Sequence, residues 1–285
     1  MPEPSHTAAV IGVGLIGSAF AAAIKATGRF RDIVGSDTNA AASERALLAG
    51  MIDRSEPDPY VAVAHADLVV LASPVREIIR LIGEIGPHLK AGALVMDLGS
   101  TKAQIVAAME QLPTTVAAVG GHPMTGPMTT GLGVADPRMF HDRIFVLTPT
   151  KRTSTATLDW CTAVLRQIGA TVIVMDAERH DHITAIISHL PRFLPVALLD
   201  VAVDSGDALT MQLAAGGFRE STRKATDNID MWTDVALTNA PQLIIAIHAL
   251  QSHLDALAQT IATGDEATIR AALAEAQRRW EQRFR

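Results

Sequence analysis

The chain has 285 residues, with 24 Lys and Arg against 30 Asp and Glu, a formal net charge of −6, 48% hydrophobic and 19% charged residues. That balance excludes disorder and describes a globular chain, and a pI near 5.9 supplies no basic footprint to displace counterions, so a small-molecule partner is expected and a nucleic acid is not. Cys161 stands alone and reads as a core thiol, and the amino terminus lacks a cationic n-region, which together point to the cytoplasm without a secretory signal.

From Ala8 to about Met175, short β-branched runs alternate with Ala-rich helical stretches, the pattern of parallel strands joined by crossover helices. The first predicted strand, Ala8–Val13, leads into Gly12-x-Gly14-x-x-Gly17, with Leu15 and Ile16 inside the loop, and then an Ala-rich helix. In that context glycines give a tight turn, close approach to a pyrophosphate and strand–helix packing. The second strand, Asp32–Ser36, ends at Asp37, 20 residues past Gly17, where a carboxylate hydrogen-bonds an adenosine ribose and repels a 2′-phosphate. No Arg follows in Thr38-Asn39, so NAD is expected in preference to NADP. A third strand, Leu68–Ala72, stops at Ser73-Pro74 on the rim where open α/β sheets bind ligands, which places both residues beside the cofactor. Leu94–Leu98, Thr115–Gly120, Ile144–Thr148 and Thr171–Met175 complete the strands, several of them continuously apolar as befits a sheet covered on both faces.

After Asp176 the strand signal stops, which divides the chain into a dinucleotide-binding domain, 1–176, and a helical substrate and dimerisation domain, 177–285. Pro191 and Pro195 lie in the apolar segment Ala177–Val203 and free the carbonyls of Ile187 and Pro191, so a kink is predicted. Phe193–Val203, interrupted by Pro195 and Asp200, falls short of the ~20 residues that span a bilayer, and no membrane crossing is expected. His180-Asp181-His182 lacks a third ligand at metal-binding spacing and reads as a solvated helix start, with no metal. Leu243, Ile247, Leu250, Leu254, Leu257 and Ile261 step by threes and fours, a seam for an intrachain core or a dimer interface.

Four segments carry a more specific signal. Asp97-Leu98-Gly99-Ser100-Thr101-Lys102 and Gly120-Gly121-His122-Pro123-Met124-Thr125-Gly126 follow successive strands; Ser188-His189-Leu190-Pro191 lies on the proline-bearing helix, and Gly217-Phe218-Arg219-Glu220-Ser221-Thr222-Arg223 runs on toward Met231-Trp232. In this order they resemble the prephenate/arogenate dehydrogenases of tyrosine biosynthesis. The resemblance implies a Rossmann-type doubly wound parallel sheet followed by an all-α dimerisation domain, a homodimer, and oxidative decarboxylation of prephenate to 4-hydroxyphenylpyruvate or of arogenate to tyrosine, with hydride passing to nicotinamide.

The resemblance also implies roles. His122 accepts the proton of the ring hydroxyl as that carbon becomes carbonyl-like. Ser100 bonds His122 or the substrate hydroxyl, and a Ser there also suits the cap of the helix Lys102–Glu110. Gly99 borders the cofactor. Arg223 grips the ring carboxylate through both oxygens. His189, Ser188 and Thr125 meet the substrate, Trp232 walls its cavity or sits in the core, and Arg219 faces solvent. Arg192 stands where the family commonly has the last His of Ser-His-Leu-Pro-His; a permanent cation suits the pyruvyl carboxylate of prephenate better than the ammonium of arogenate. Three other readings stay open: a dehydrogenase of the 4-amino-4-deoxy analogue, a β-hydroxyacid dehydrogenase, for which Lys224 is the only lysine after Lys151, and an NAD-sensing regulator without catalysis.

Overall fold

The computed structural model describes residues 6–125 and 135–284; Gly126, the last residue of the His122 motif, lies outside them. Eight strands form one sheet in the order β3-β2-β1-β4-β5-β6-β7-β8: β1 (His6–Ile11), β2 (Phe30–Ser36), β3 (Arg54–Ser55), β4 (Leu68–Leu71), β5 (Leu94–Asp97), β6 (Ala117–Pro123), β7 (Ile144–Pro149) and β8 (Thr171–Val174). Helices α1 (Leu15–Ala26), α2 (Ala40–Leu48), α3 (Pro59–Val63), α4 (Val75–Ile85), α5 (Ala103–Met109) and α6 (Thr155–Gln167) connect them.

Successive residues of β1 enter different apolar layers. Ala8 and Val10 belong with Phe20, Ile24 and Leu147, whereas Ala9 and Ile11 belong with Val69, Ile78 and Ile82. Burial on both faces removes the need for polar alternation, which is why the central strands read as unbroken apolar runs. Strand pairing is parallel except between β6 and β7, where Gly120 lies opposite Thr148 and His122 opposite Val146. This departs from the parallel pattern expected along the whole run. Among the described residues only the 3₁₀ turn Pro137–Phe140 separates the two strands, and a parallel pair needs a crossover of a dozen or more residues, usually a helix.

Strand order runs in opposite directions on the two sides of β1, so the crevice between the carboxyl ends of β1 and β4 is the switch point at which such sheets take a ligand. Gly12 lies there with φ of +94°, and a Cβ on it would stand 2.8 Å from the Ala72 carbonyl. A Cβ on Gly17 would collide with the Gly12 carbonyl oxygen, while one on Gly14 would meet nothing within 4 Å. Asn39, Ser154 and Asp176 cap α2, α6 and their successor helix with side-chain oxygens, but α1 begins at Gly14 with no side-chain cap. Its first amides are left for a ligand.

The chain forms two compact units, Met1–Ala240 and Pro241–Arg285. In the first, β8 leads to α7 (Ala177–Thr184), a π-helical turn over Ala185–His189, α8 (Leu190–Val203), α9 (Ala208–Gln212), α10 (Gly216–Thr222) and α11 (Ile229–Thr238). The predicted break therefore takes the form of a widened turn just before Pro191, and the helical run continues through both prolines. Taken whole, 177–203 is long and apolar enough to cross a membrane by length and composition, although Phe193–Val203 alone is not. Its first turns, however, hold the buried polar residues His180 and Asp181. The last helices are α12 (Ala240–Ala262) and α13 (Glu266–Phe284). Of the α12 seam, Leu243 is buried, whereas Leu254, Leu257 and Ile261 are exposed on the single chain.

The glycine geometry separates two substitutions. Gly17→Ala should cost about 1–3 kcal/mol as the loop shifts to admit the methyl group, and Gly14→Ala less than about 1 kcal/mol. Urea unfolding of both variants measures the difference; equal losses would contradict the packing described for Gly17.

Candidate active site

The cofactor crevice is a cleft of about 550 Å³ whose walls include Gly12, Gly14, Asp37, Thr38, Ser73 and Pro74. Asp37 Oδ2 accepts the amide of Val13 at 2.9 Å and Oδ1 accepts that of Asn39 at 2.8 Å. These bonds hold the carboxylate at the end of β2, beside the glycine loop. Arg80 also lines the cleft but is paired with Glu77 and Glu84, so it adds no free cation for a 2′-phosphate. Leu15 belongs to the neighbouring pocket, and Ile16 packs against the core.

Next along the rim, Asp97 ends β5 and forms an ion pair with Lys102; both side chains are fully buried. Gly99 and Gly121 donate their amides to Asp97 at 2.7 and 3.0 Å, and Lys102 Nζ also donates to the Gly121 carbonyl at 2.7 Å. Burial raises the Asp97 carboxyl against the opposing attraction of Lys102, and burial likewise lowers the Lys102 ammonium. The amide donors and the partner charge offset that desolvation. The pair thereby ties the turn after β5, which carries Gly99 and Ser100, to the strand that carries His122.

His122 is itself within β6, because β7 supplies partners as far as Pro123. Its Nδ1 lies 2.8 Å from Nε2 of His180, and His180 Nδ1 lies 2.8 Å from Oδ1 of Asp181. Asp181 Oδ1 accepts the amide of Lys102 at 2.7 Å and Oδ2 that of Ala103 at 2.8 Å. A carboxylate from α7 therefore caps the first turn of α5, a favourable placement for negative charge. The expected cap, Ser100, is half-buried beyond that turn, and the partner of His122 Nδ1 is His180 rather than Ser100.

The reading of His180-Asp181-His182 as a solvated helix start is corrected for its first two residues, each 1% exposed; His182 is exposed. On α7 and the π turn, Ala177, His180, Asp181, Thr184, Ala185 and His189 are buried, spaced at i, i+3, i+4, i+7, i+8 and i+12. That stripe is the sequence signal that locates the pair: polar residues share a periodic face with alanines. Asn239, at the end of α11, extends the network, since its Nδ2 donates to the Asp181 carbonyl at 2.8 Å and meets His189 Nδ1 at 3.2 Å. Burial foremost, with His180 adding to it and Asp181 opposing, lowers His189 to about 4, so it is neutral at physiological pH. Burial also pushes His122 well below the ordinary 6.5, with further contributions from His180, Lys102 and His189.

The remaining candidates form a second group. The His189 ring meets that of Trp232 edge-on at 6.1 Å, and Arg192 stacks over Trp232 with its guanidinium carbon 4.9 Å from the ring centroid. Arg192 is paired with Asp227, so the cation expected to suit a keto-acid carboxylate has an anion beside it. Among the described residues Trp232 Nε1 is buried without a hydrogen-bond partner. Arg223 begins the 3₁₀ turn Arg223–Thr226 after α10 and is exposed; its charge contributes to lowering Arg192. Among the described residues its guanidinium has no ion pair, and no described bond joins it to the His122 network. Ser188 is half-buried on the π turn, Thr125 donates to the Met139 carbonyl at 3.1 Å, and Arg219 is exposed.

Comparison with known proteins gives two family matches, "Prephenate dehydrogenase, nucleotide-binding domain" over residues 20–174 and "Prephenate dehydrogenase, dimerization domain" over 176–275. A prephenate dehydrogenase of Lactococcus lactis is 35% identical over 265 residues, covering 91% of this chain and 72% of that protein. A cyclohexadienyl dehydrogenase of Zymomonas mobilis is 31% identical over 261 residues, covering 90% and 89%. The crystal structure of prephenate dehydrogenase from Aquifex aeolicus in complex with hydroxyphenyl propionate and NAD+ superposes with a TM-score of 0.90 at 27% identity, covering 99% of each chain.

The buried pair sets a stability expectation for this region. Lys102→Met leaves the Asp97 charge uncompensated and should cost about 3–5 kcal/mol, measured by denaturant unfolding. Adding Asp97→Asn should recover a large part of that loss; a double variant as unstable as the single one would show that the charge itself is not what destabilises.

Proposed function

The chain belongs to the prephenate dehydrogenase family, and from that premise we propose that it catalyses NAD-dependent oxidative decarboxylation of prephenate to 4-hydroxyphenylpyruvate and CO₂, with His122 as the proton acceptor. The single observation that carries the role of His122 is its bond to His180 through Nδ1, which leaves Nε2 as the nitrogen available to a substrate on the ligand-binding rim of the sheet. The residues of the crevice fit NAD: open space at Gly14, an uncapped helix start and a carboxylate anchored at Asp37. When bound, NAD+ supplies the hydride acceptor.

The protein's part follows from the charge that develops on the substrate. As hydride leaves the carbon bearing the hydroxyl, that O–H becomes strongly acidic and His122 Nε2 takes its proton. Loss of the ring carboxylate as CO₂ then leaves an electron pair that aromatises the ring onto the same oxygen, which recovers the proton from Nε2. His122 is thus neutral before and after each turnover, and a neutral imidazole in a buried setting is the form that can begin it. Ser100 and Gly99, on the turn tied down by Asp97, border the reacting ring and the cofactor. Arg223, which has no ion pair among the described residues, holds the ring carboxylate, and Ser188, His189, Thr125 and Trp232 enclose the rest.

Arg192 enters this scheme as half of an ion pair with Asp227. A cation and an anion side by side meet a keto-acid or an amino-acid side chain, so the substrate class is a cyclohexadienyl acid, arogenate included. The helical part from 177 onward is read as the dimerisation part, supported by the description of the family matched from residue 176 and by the apolar Ile186, Ile187, Val201, Leu254, Leu257 and Ile261 exposed on the single chain. A second copy covers them. We place the enzyme in the cytoplasm, working on small molecules alone.

Two measurements test the assignment. His122→Asn should lower kcat by about 10²–10⁴ while NAD binding is retained; a turnover near that of the unsubstituted enzyme would sink it. Because the neutral imidazole is the active form and its pKa is held below 6.5 by burial, His180, Lys102 and His189, kcat/KM with prephenate should stay level as pH falls to 6.5 and decline only below it. An acid limb attributable to His122 above 6.5 would contradict the site's electrostatics.

A further inference from the structure

The network behind His122 is fully specified by its donors. Asp181 receives two backbone amides, from Lys102 and Ala103, which can only donate, so its carboxylate acts as an acceptor at both oxygens. His180 Nδ1, 2.8 Å from Asp181 Oδ1, is therefore the protonated nitrogen of its ring. A neutral imidazole with its proton on Nδ1 presents a lone pair at Nε2. That lone pair faces His122 Nδ1 at 2.8 Å, so His122 donates from Nδ1 and its own lone pair is at Nε2.

We propose that His180 is a positioning residue for the reaction, holding His122 in the tautomer whose Nε2 accepts the substrate proton. The inference rests on the reading of His122 as proton acceptor and adds the group that makes it one. No proton passes along the chain of three residues: Nε2 gains the hydroxyl proton, the bond from His122 Nδ1 to His180 Nε2 becomes charge-assisted, and Nε2 later returns the proton to the product oxygen. The two rings are inclined at 67° with centroids 5.0 Å apart, an edge-on rather than stacked meeting. His180 is 1% exposed, and a role in packing alone would be met by an apolar side chain of similar size. Burial, His180, Lys102 and His189 all lower the proton affinity of His122, and Lys102 is paired with Asp97, so what the Asp181–His180 arm supplies is the orientation of the ring and the choice of its protonated nitrogen.

His180→Leu removes the acceptor, and His180→Gln keeps one in its side-chain oxygen. The Leu variant should lose about 10²-fold in kcat with KM for prephenate and for NAD changed by less than about threefold, and the Gln variant should regain at least about tenfold of that loss. Independently of any variant at 180, ¹⁵N spectra of histidine-labelled enzyme, assigned against His122→Asn, should show neutral His122 protonated at Nδ1 and bare at Nε2. A Leu variant as fast as the parent, Leu and Gln variants equally slow, or a proton found on Nε2 would each overturn the proposal, and the spectrum decides it should the variants fail to fold. If His122→Asn retains turnover, the reading of His122 falls instead, whatever tautomer the spectrum records.

Discussion

The arrangement depends on one buried carboxylate. Asp181, on α7, accepts two amides from the first turn of α5 and the Nδ1 proton of His180, and its own backbone carbonyl takes Asn239 from the end of α11. Sheet, crossover helix and following helices thus meet at one residue. A carboxylate taken from water into a protein interior costs several kcal/mol unless its lone pairs are filled. Here they are filled by groups whose positions matter to chemistry, so the requirement to satisfy Asp181 also sets the orientation of His180 and, through it, His122.

The π turn has a structural reason of the same kind. At about 100° per residue, eight residues of ideal α-helix carry a side chain roughly 80° past the starting direction. His189 follows Asp181 by eight and would be turned away from the face that Asp181 occupies. The wider turn over Ala185–His189 advances less per residue and withdraws much of that rotation, so both residues are buried and both reach Asn239. Pro191 stands two residues later, where a missing amide already weakens the regular ladder. Single π turns occur at functional sites because they change which side chains share a face, and here the faces are those of an imidazole and of the carboxylate that orders the network.

Much of this was legible in the residues themselves. The strands around the glycine loop carry continuous apolar runs because α-helices cover both faces, and the loop's own spacing identified the crevice. β3, two residues long and exposed, has no such signature. The end of β6 was placed too early, since the pairing that extends it through His122 comes from antiparallel β7, a long-range partner invisible to local periodicity. The polar pair His180-Asp181 was assigned to solvent on the general tendency of charged residues to be exposed, although its spacing with Ala177, Thr184 and Ala185 marks the buried stripe. Arg192 could be seen as a cation but not as a paired one, because Asp227 is 35 residues away along the chain.

As the proposed proton acceptor, His122 with its depressed proton affinity suits this chemistry. The substrate hydroxyl is a poor acid at rest and becomes a strong one only as hydride departs, so a strong base would gain nothing beforehand and would sit protonated near neutrality. Burial first, with His180, Lys102 and His189 adding to it, keeps the His122 lone pair free. In the proposed reaction the carboxylate two hydrogen bonds away holds His180, and through it the His122 ring, in one orientation. The Lys102 ammonium is paired at close range with Asp97. Two hydrogen-bonded sets, Asp97–Lys102 tying the strands and Asp181–His180 orienting His122, let the same few residues build the fold and shape the proposed site.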